Sequence, residues 1–321
     1  MNNYNFLEKL LHKISLSSKL IREVSFDVEN SLITSPNFED NHIFICGLAR
    51  SGTTILLNSL YQSDIFASLT YEDMPFVLSP NLWSKVYLNS KNTDLKERLH
   101  GDGIKFSTKS PEAFEEVFWE TFDDNEDESF ENFRIYINNI IYKYKRKRYL
   151  SKNNQNIRRI EQISDFFPNS KILIPFRDPF QHSFSLLSQH KKFIDFSKSD
   201  KFLAKYMKWI GHTEFGANYL PINKHNLVFK NDKNINHWME QWYLTYSRCL
   251  RTLINKNNVE FVCYEKLCSS ENYWFDILNM VGVNNKYQFS FKESYKEPSL
   301  EVDFDLNTKA LSLYKKLTEL F

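Results

Sequence analysis

Three short runs of apolar residues divide the chain, and each is followed by a stretch with helical spacing. The runs are residues 42–46 (HIFIC), 171–176 (KILIPF) and 259–264 (VEFVCY). Runs of this kind, rich in β-branched and aromatic residues and separated by long helical segments, are typical of buried parallel strands. The pattern predicts an α/β fold with a central parallel sheet flanked by helices, in which ligands bind at the carboxyl ends of the strands.

The segments after the strands carry helix-start signals. A tight loop with two glycines joins the first strand to a helix that begins at Thr53. After the second strand, Asp178 stands directly before Pro179, which predicts a helix over residues 179–190 because Asp caps free N–H groups and Pro has a helical φ. After the third strand, the spacing predicts a helix around residues 274–280.

We expect these elements to form one domain over residues 1–321. Its core spans about residues 41–285, because all three strands lie there. Residues 1–40 form a helical extension. Residues 73–150, rich in aromatic and charged side chains, form an insertion.

The first twenty residues carry apolar side chains at helical spacing, interrupted by charges. This arrangement predicts an amphipathic helix rather than a signal peptide or a membrane anchor. Nowhere does the chain contain the roughly 18 consecutive apolar residues that a membrane span needs. We therefore expect a cytoplasmic protein without a membrane span. The apolar positions are Leu7, Leu10, Leu11 and Ile14.

Composition narrows the class of protein further. The chain is 42% hydrophobic and 16% aromatic, which excludes disordered and collagen-like proteins because those are poor in large apolar side chains. The 41 basic residues nearly balance the 40 acidic ones, so any anion site must be built locally. The four cysteines show neither a CxxC pair nor a zinc-ligand spacing, and we expect no bound metal and no disulfide.

Two local blocks of like charge interrupt this balance. The acidic run at residues 123–128 is predicted to be a solvated loop. Basic residues between 143 and 148 alternate with tyrosines, which fits a nucleic-acid site, an exposed helix face or a docking surface for a polyanionic acceptor. Because the net charge is near zero, we favour the exposed helix face and expect no nucleic-acid partner.

The loop after the first strand has the composition of an anion-binding site. Residues 47–54 read Gly-Leu-Ala-Arg-Ser-Gly-Thr-Thr, where a strand meets a helix and backbone N–H groups can converge on an anion. The G-x4-G spacing matches a nucleotide P-loop. However, Thr53 stands where an NTPase carries the lysine that reaches the β- and γ-phosphates. A P-loop nucleotide kinase is therefore the less favoured interpretation.

This loop resembles the G-x-P-R-S-G-T-T element of the sulfotransferases, particularly the branch that includes tyrosylprotein sulfotransferases and many bacterial enzymes. Ala49 replaces the usual proline, which changes loop stiffness more than ligand chemistry. The resemblance implies a P-loop-type three-layer fold and 3′-phosphoadenosine 5′-phosphosulfate (PAPS) as the donor of a sulfuryl group. It also implies that the donor's phosphosulfate contacts Gly47, Arg50, Ser51, Gly52, Thr53 and Thr54.

Two further elements resemble the same family. Residues 167–190 resemble its 3′-phosphate signature, with Arg177 at the strand end and Ser185 eight positions later in the sequence. Lys152 matches the lysine of the K-[TD]-P motif, which stabilises the leaving oxygen, although Asn154 stands at the proline position. These likenesses imply that Arg177 and Ser185 grip the 3′-phosphate and that Lys152 and Arg50 stabilise the leaving phosphate.

The family's general base lies in an acidic segment after the loop, and here that segment contains Glu72. We predict that Glu72 accepts the acceptor's proton, with Asp73 as the next candidate and His100 and His190 as weaker ones. Tyr264 matches the tyrosine of the family's Y-E-x-L element, which helps to hold the nucleotide.

Two segments in the insertion are less specific. Residues 109–111 (KSP) also resemble the K-[TD]-P motif but lie far from Arg177 in sequence, and we interpret them as a loop or pocket element. Several aromatic side chains could form the acceptor pocket or pack in a core. These are Phe76, Trp83, Tyr87, Phe114, Phe118 and Trp119.

Family likeness suggests a hydroxyl or amine of a carbohydrate or glycan precursor as the acceptor. No metal is required on this interpretation, because a sulfuryl group carries less charge than the phosphoryl group that an ATP enzyme transfers with Mg²⁺. Besides a nucleotide kinase, the alternative is a nucleotide-binding module without catalytic activity, since binding and catalysis share Arg50, Arg177 and Ser185.

Overall fold

The computed structural model describes residues 6–86, 96–97, 105–122, 126–225, 227–284, 287–292, 295–296 and 299–320. For residues 96–97 and 105–106 it describes the backbone alone.

A five-stranded parallel sheet forms the centre of the fold, and it confirms the predicted α/β class. Its strands lie in the order β2-β5-β1-β6-β7, so β1 is central, and β3 pairs with β4 in a separate two-stranded antiparallel sheet. The strands are β1 Ile43–Ile45, β2 Phe66–Ala67, β3 Lys96–Glu97, β4 Lys105–Phe106, β5 Arg148–Lys152, β6 Lys171–Phe176 and β7 Val259–Cys263.

Helices connect and flank these strands. They are α1 Phe6–Ser17, α2 Lys19–Leu32, α3 Thr53–Tyr61, α4 Pro80–Val86, α5 Glu116–Phe122, α6 Glu126–Tyr144, α7 Ile160–Phe166, α8 Pro179–Ser199, α9 Lys201–Trp209, α10 Ile235–Leu253, α11 Tyr264–Ser269, α12 Glu271–Met280 and α13 Phe304–Thr318. Asp178 caps α8 through the N–H of Gln181, as predicted, but α8 extends beyond the expected end at residue 190.

In the N-terminal extension, helices α1 and α2 cover Phe6–Ser17 and Lys19–Leu32, residues 33–40 are not helical, and residues 1–5 lie outside the described part of the chain. Among the described residues, no helix has both the length and the apolar character needed to cross a bilayer.

Strand β1 is buried from every direction. Ile43, Phe44 and Ile45 have no exposed surface, and burial of side chains of this size stabilises a fold by roughly 1.5–3 kcal/mol each. Phe118 and Trp119 of α5 pack against Phe133 of α6 in the same core. These two aromatic residues of the insertion therefore do not line an open pocket.

The sequence did not predict β5, which adjoins β1. Its residues, RYLSK, begin with a member of the basic block, which hides the apolar pattern. The Arg148 side chain donates hydrogen bonds to the carbonyls of Asn41 and Val281 and lies over the Phe66 ring. Because these contacts satisfy the guanidinium, Arg148 can begin a strand whose remaining residues are buried.

The two charge blocks differ from expectation. Glu126–Glu128 form the first turn of α6, where acidic side chains stabilise the positive helix terminus, so the loop prediction is wrong for them; residues 123–125 lie outside the described part. In the basic block, α6 ends at Tyr144, Lys143 pairs with Asp73, and Arg146 pairs with Asp64. The prediction of one exposed helix face is therefore wrong.

Candidate functional site

The carboxyl ends of the parallel strands bring the predicted site residues to one edge of the sheet. Following the strand order, the residues at this edge are Glu72 after β2, Lys152 at the end of β5, the 47–52 loop after β1, Arg177 after β6 and Tyr264 after β7. Neighbouring strands lie about 4.8 Å apart, so the ends of β5 and β6 flank the loop at about 10 Å from each other.

The loop has the backbone shape of an anion cradle. Arg50 and Gly52 both have left-handed conformations, with φ of 71° and 100°. Helix α3 follows directly, and no side chain caps its N-terminus at Gly52. Backbone N–H groups at such a terminus donate to phosphate oxygens, and the helix dipole favours a negative charge there. These features fit the phosphosulfate end of a nucleotide donor.

Gly52 also lies against the ring of Tyr264. A Cβ atom at Gly52 would lie 2.5 Å from Cδ2 and 2.9 Å from Cε2 of Tyr264, distances at which one of the two groups must move.

We expect Gly52→Ala to weaken nucleotide binding by tenfold or more, because it strains a left-handed residue and displaces Tyr264. Calorimetric titration with adenosine 3′,5′-bisphosphate measures the loss. Gly282→Ala is the matched control. Gly282 has φ of 73° and lies beyond α12, where a Cβ would lie 3.3 Å from an Arg148 nitrogen. Gly282→Ala should reduce the stability of the protein without reducing its affinity for the bisphosphate. Equal affinities of the wild type, Gly52→Ala and Gly282→Ala would contradict the assignment of the 47–54 loop as the nucleotide site.

Arg50, Ser185 and Arg177 form one contact cluster, although they lie on different elements. Arg50 Nε donates to Ser185 Oγ at 3.1 Å, and Arg177 donates to the Arg50 carbonyl at 3.4 Å. The Arg177 guanidinium lies 5.2 Å from the centre of the Tyr264 ring. A hydroxyl, a carbonyl and an aromatic ring are among the groups that hold the two guanidinium groups in place, and guanidinium groups suit a site for phosphate.

Lys152 lies on the other side of the loop. Lys152 pairs with Ile45 of β1 in the parallel sheet, and 8% of its surface is exposed. The residues on either side of it in the sequence are fixed by hydrogen bonds: Ser151 donates to Glu115, and Asn153 donates to Glu116 at 2.7 Å. The backbone that carries Lys152 is therefore fixed beside the loop.

Asn154, which replaces the motif's proline, contacts the loop directly. Thr53 Oγ1 donates to Asn154 Oδ1 at 3.2 Å. A proline could not make this bond, so the substitution adds a tie between β5 and the start of α3.

Comparison with known proteins agrees with this geometry. A family model described as the sulfotransferase family matches residues 42–274. The chain belongs to the sulfotransferase family. None of the curated proteins matches the chain significantly.

Solved structures of bacterial sulfotransferases resemble this one at low sequence identity. Sulfotransferase STF1 from Mycobacterium tuberculosis is 12% identical with a TM-score of 0.51, over 96% of this chain and 81% of that one. STF9 from Mycobacterium avium is 12% identical (TM-score 0.46, 98% and 79% covered), and a sulfotransferase from Alicyclobacillus acidocaldarius is 17% identical (0.42, 90% and 96%). At this identity, the likeness to STF1 shows that the fold is shared.

In this sulfotransferase, Glu72 lies in a half-buried 3-10 turn, Tyr71–Asp73. Its N–H donates to the Thr108 carbonyl at 3.0 Å, and Thr108 Oγ1 donates to its carboxylate at 3.3 Å. The 109–111 segment, interpreted as a loop, forms the turn beside it, and Pro111 pairs with Thr70. The contacts with Thr108 hold both the backbone and the carboxylate of Glu72.

The other candidate bases are placed less favourably. Asp73 is fully buried and accepts from the Thr70 N–H and the Tyr144 hydroxyl while pairing with Lys143. His190 is buried against Trp238, burial lowers its pKa, and one of its ring nitrogens bonds the Gly216 N–H. His100 lies outside the described residues. Asp73 and His190 are therefore already engaged in contacts within the protein.

His182 contacts the phosphate loop, and the sequence did not predict this contact. It is fully buried on α8, and its Nε2 lies 2.8 Å from the Ala49 carbonyl. Burial lowers the pKa of His182 from 6.5 to about 3, so the ring is neutral near neutrality and Nε2–H donates to the loop. No local motif marks this contact, because it joins residues 133 positions apart.

The depressed pKa of His182 predicts acid sensitivity. Its contribution to stability is fully present above pH 6.5 and is lost as the pH falls toward 3, because the unfolded state then binds a proton that the folded state does not. The free energy of unfolding of the wild type should fall by about 1.4 kcal/mol per pH unit relative to His182→Gln, which cannot titrate. Urea unfolding of both proteins between pH 7.5 and 4.5 measures this difference. A constant difference would show that the folded state protonates His182 normally.

Glu265 is a second supporting residue. One of its carboxylate oxygens accepts the Asp178 N–H at 2.9 Å, and the other accepts the Tyr314 hydroxyl at 3.2 Å. Glu265 thereby joins the end of β7 to the start of α8, next to Arg177, and ties α13 to the same point.

Proposed function

We propose that this sulfotransferase moves a sulfuryl group from PAPS to a hydroxyl or amine of an acceptor. Family membership supports sulfuryl transfer, and PAPS is the family's general donor. The observation that carries the proposal is the contact cluster of Arg50, Ser185 and Arg177 beside an uncapped helix N-terminus. It offers two cationic groups and a row of N–H donors on neighbouring elements, as a donor with two separate phosphate groups requires.

Each end of the donor has its own set of residues in this proposal. The loop residues, Gly47, Arg50, Ser51, Gly52, Thr53 and Thr54, hold the 5′-phosphosulfate. Arg177 and Ser185 hold the 3′-phosphate. Tyr264 holds the nucleotide beside Gly52, against which its ring packs. His182 and Glu265 support these residues indirectly: His182 bonds the loop at Ala49, and Glu265 accepts the N–H of Asp178, next to Arg177.

The transfer step needs a base and a stabilised leaving group. A lone pair of the acceptor oxygen or nitrogen forms the new bond to sulfur, while the bond from sulfur to the bridging oxygen breaks and leaves its electron pair on the 5′-phosphate. Glu72 accepts the acceptor's proton. Lys152 and Arg50 stabilise the charge that develops on the leaving phosphate, since fixed cations cost no reorganisation during the reaction.

Arg177→Ala should lower affinity for adenosine 3′,5′-bisphosphate by about 30- to 100-fold and change affinity for 5′-AMP much less, because charge-assisted bonds to one phosphate are lost. Paired calorimetric titrations measure both. Arg134→Ala is the matched control: Arg134 also lies over an aromatic ring, that of Phe166 at 4.3 Å, and pairs with Asp40, away from the site. An equal loss for both ligands would contradict 3′-phosphate recognition by Arg177.

Transfer itself is tested with PAPS labelled in the sulfuryl group and a mixed panel of alcohols, phenols, amines and sugars. We expect labelled product and one adenosine 3′,5′-bisphosphate for each sulfuryl group transferred. Binding of the bisphosphate without cleavage of the donor would instead identify a nucleotide-binding module. The carbohydrate acceptor expected from the sequence is part of this panel.

A further inference from the structure

Helix α1 presents large apolar side chains to solvent on the side opposite to its buried face. The buried face consists of His12, Ser15 and Leu16, which pack into the fold. The exposed apolar side chains recur at helical spacing and therefore lie together on the other face. An exposed apolar surface of this kind marks a site that contacts a protein or a membrane. Its members are Phe6, Leu7, Leu10 and Ile14.

Helix α2, which follows α1 after one residue, has an apolar stripe of its own. Leu20, Val24 and Val28 recur every four residues and are exposed. However, α2 also carries the carboxylates Glu23 and Asp27. Because these charges oppose contact with an anionic partner, α1 is the part of the apolar surface that can approach one.

Helix α9 lies beside α1 and adds positive charge to this surface. Lys9 Nζ is 5.4 Å from the centre of the Phe202 ring, and the rings of His12 and Tyr206 are 5.8 Å apart. Axes of packed helices are about 8–10 Å apart, so the solvent face of α9 adjoins that of α1. The solvent face of α9 carries Lys201, Lys205 and Lys208.

Positive charge is concentrated in the segments that contain these two helices. Residues 6–22 and 191–208 include ten basic and three acidic residues, in a chain whose totals are 41 and 40. Two of the three acids are engaged locally: Asp195 lies 3.3 Å from Lys198, and Asp200 caps α9. The remainder of the chain is therefore acidic on balance, and the surface around α1 and α9 is complementary to an anionic partner.

We propose that α1, flanked by the lysines of α9, docks this protein on a bilayer surface that contains anionic lipid. The apolar side chains of α1 enter the headgroup region, and the lysines stay at the level of the lipid phosphates. A nucleic acid would leave the apolar side chains in water. A second copy of this chain would bring the two sets of lysines toward each other, which like charges oppose. The docking is independent of sulfuryl transfer.

Co-sedimentation of the full chain with vesicles tests this docking. The vesicles contain phosphatidylcholine alone or phosphatidylcholine mixed with phosphatidylglycerol. We expect at least about tenfold tighter binding to the mixed vesicles, and weaker binding as the salt concentration rises. Leu10→Glu should weaken binding to the mixed vesicles by about tenfold or more, because it places a charge in the apolar face. Combined Lys13→Gln, Lys201→Gln and Lys205→Gln should remove most of the preference for phosphatidylglycerol.

Variants of α13, which packs against α10, are the matched controls. Leu311→Glu changes a side chain that is 44% exposed, against 41% for Leu10. Combined Lys309→Gln, Lys315→Gln and Lys316→Gln removes three exposed lysines. Both proteins should bind the mixed vesicles as the wild type does, and thermal unfolding verifies that every variant is folded.

Three outcomes would overturn the docking on anionic lipid. The first is a wild type that binds neither kind of vesicle, and the second is an equal loss of binding in the α13 variants. The third is a dimer in sedimentation that Leu10→Glu dissociates, without vesicle binding, which would identify a second copy of the chain as the occupant. None of these measurements depends on the nucleotide donor, so they leave the proposed function to its own tests.

Discussion

Lys152→Ala should lower the rate of sulfuryl transfer by about two to three orders of magnitude, the cost of removing one preorganised charge from a transition state. Affinity for adenosine 3′,5′-bisphosphate should change little. Lys152 is fixed at the end of β5, across the loop from Arg177, so we expect its ammonium to act on the bridging oxygen rather than on the 3′-phosphate. Single-turnover rates and calorimetric titration of the same preparation separate the two effects.

Lys171→Ala is the matched control for this prediction. Lys171 belongs to the same sheet, but it begins β6 at the opposite edge, where it lies near Glu260. Its replacement should leave both rate and affinity unchanged. If Lys152→Ala transfers sulfuryl groups at the wild-type rate, the role assigned to Lys152 is wrong.

Glu72→Gln should lower the rate of transfer by about two to four orders of magnitude, as expected for loss of a general base. The amide keeps the shape of the side chain and can still accept the bond from Thr108, so the 3-10 turn should remain intact. Binding of the bisphosphate should be unaffected. Single-turnover transfer to a saturating acceptor measures the effect.

Glu112→Gln controls for the loss of a carboxylate in the same region. Glu112 accepts a hydrogen bond from the Tyr71 hydroxyl at 2.7 Å. Tyr71 directly precedes the candidate base Glu72 in the sequence. We expect near wild-type transfer from it. Unchanged transfer in Glu72→Gln would exclude Glu72 as the base.

The fold was predictable where local patterns agreed with tertiary packing. Strand β6 and the start of α8 were found at the right residues because an apolar run and an Asp-Pro cap adjoin each other. Strand β5 was missed because Arg148 and Lys152, at its two ends, are polar residues whose partners come from distant segments. Strand β2 has two residues and carries no detectable period.

The candidate site divides in the same way. Arg50, Arg177 and Ser185 belong to short sequence signatures, and the fold joins them in one cluster. His182 lies within the 167–190 segment, but the resemblance gives it no role. It acts through a bond to Ala49, far away in the sequence, and only the three-dimensional structure shows that bond.

Calorimetric titration of the wild-type protein with adenosine 3′,5′-bisphosphate, 5′-AMP and ATP with Mg²⁺ tests the central claim most directly. We predict that the bisphosphate binds tightly without metal and that 5′-AMP, which lacks the 3′-phosphate, binds far more weakly. Preference for ATP with Mg²⁺ would contradict the PAPS site and favour a phosphotransferase.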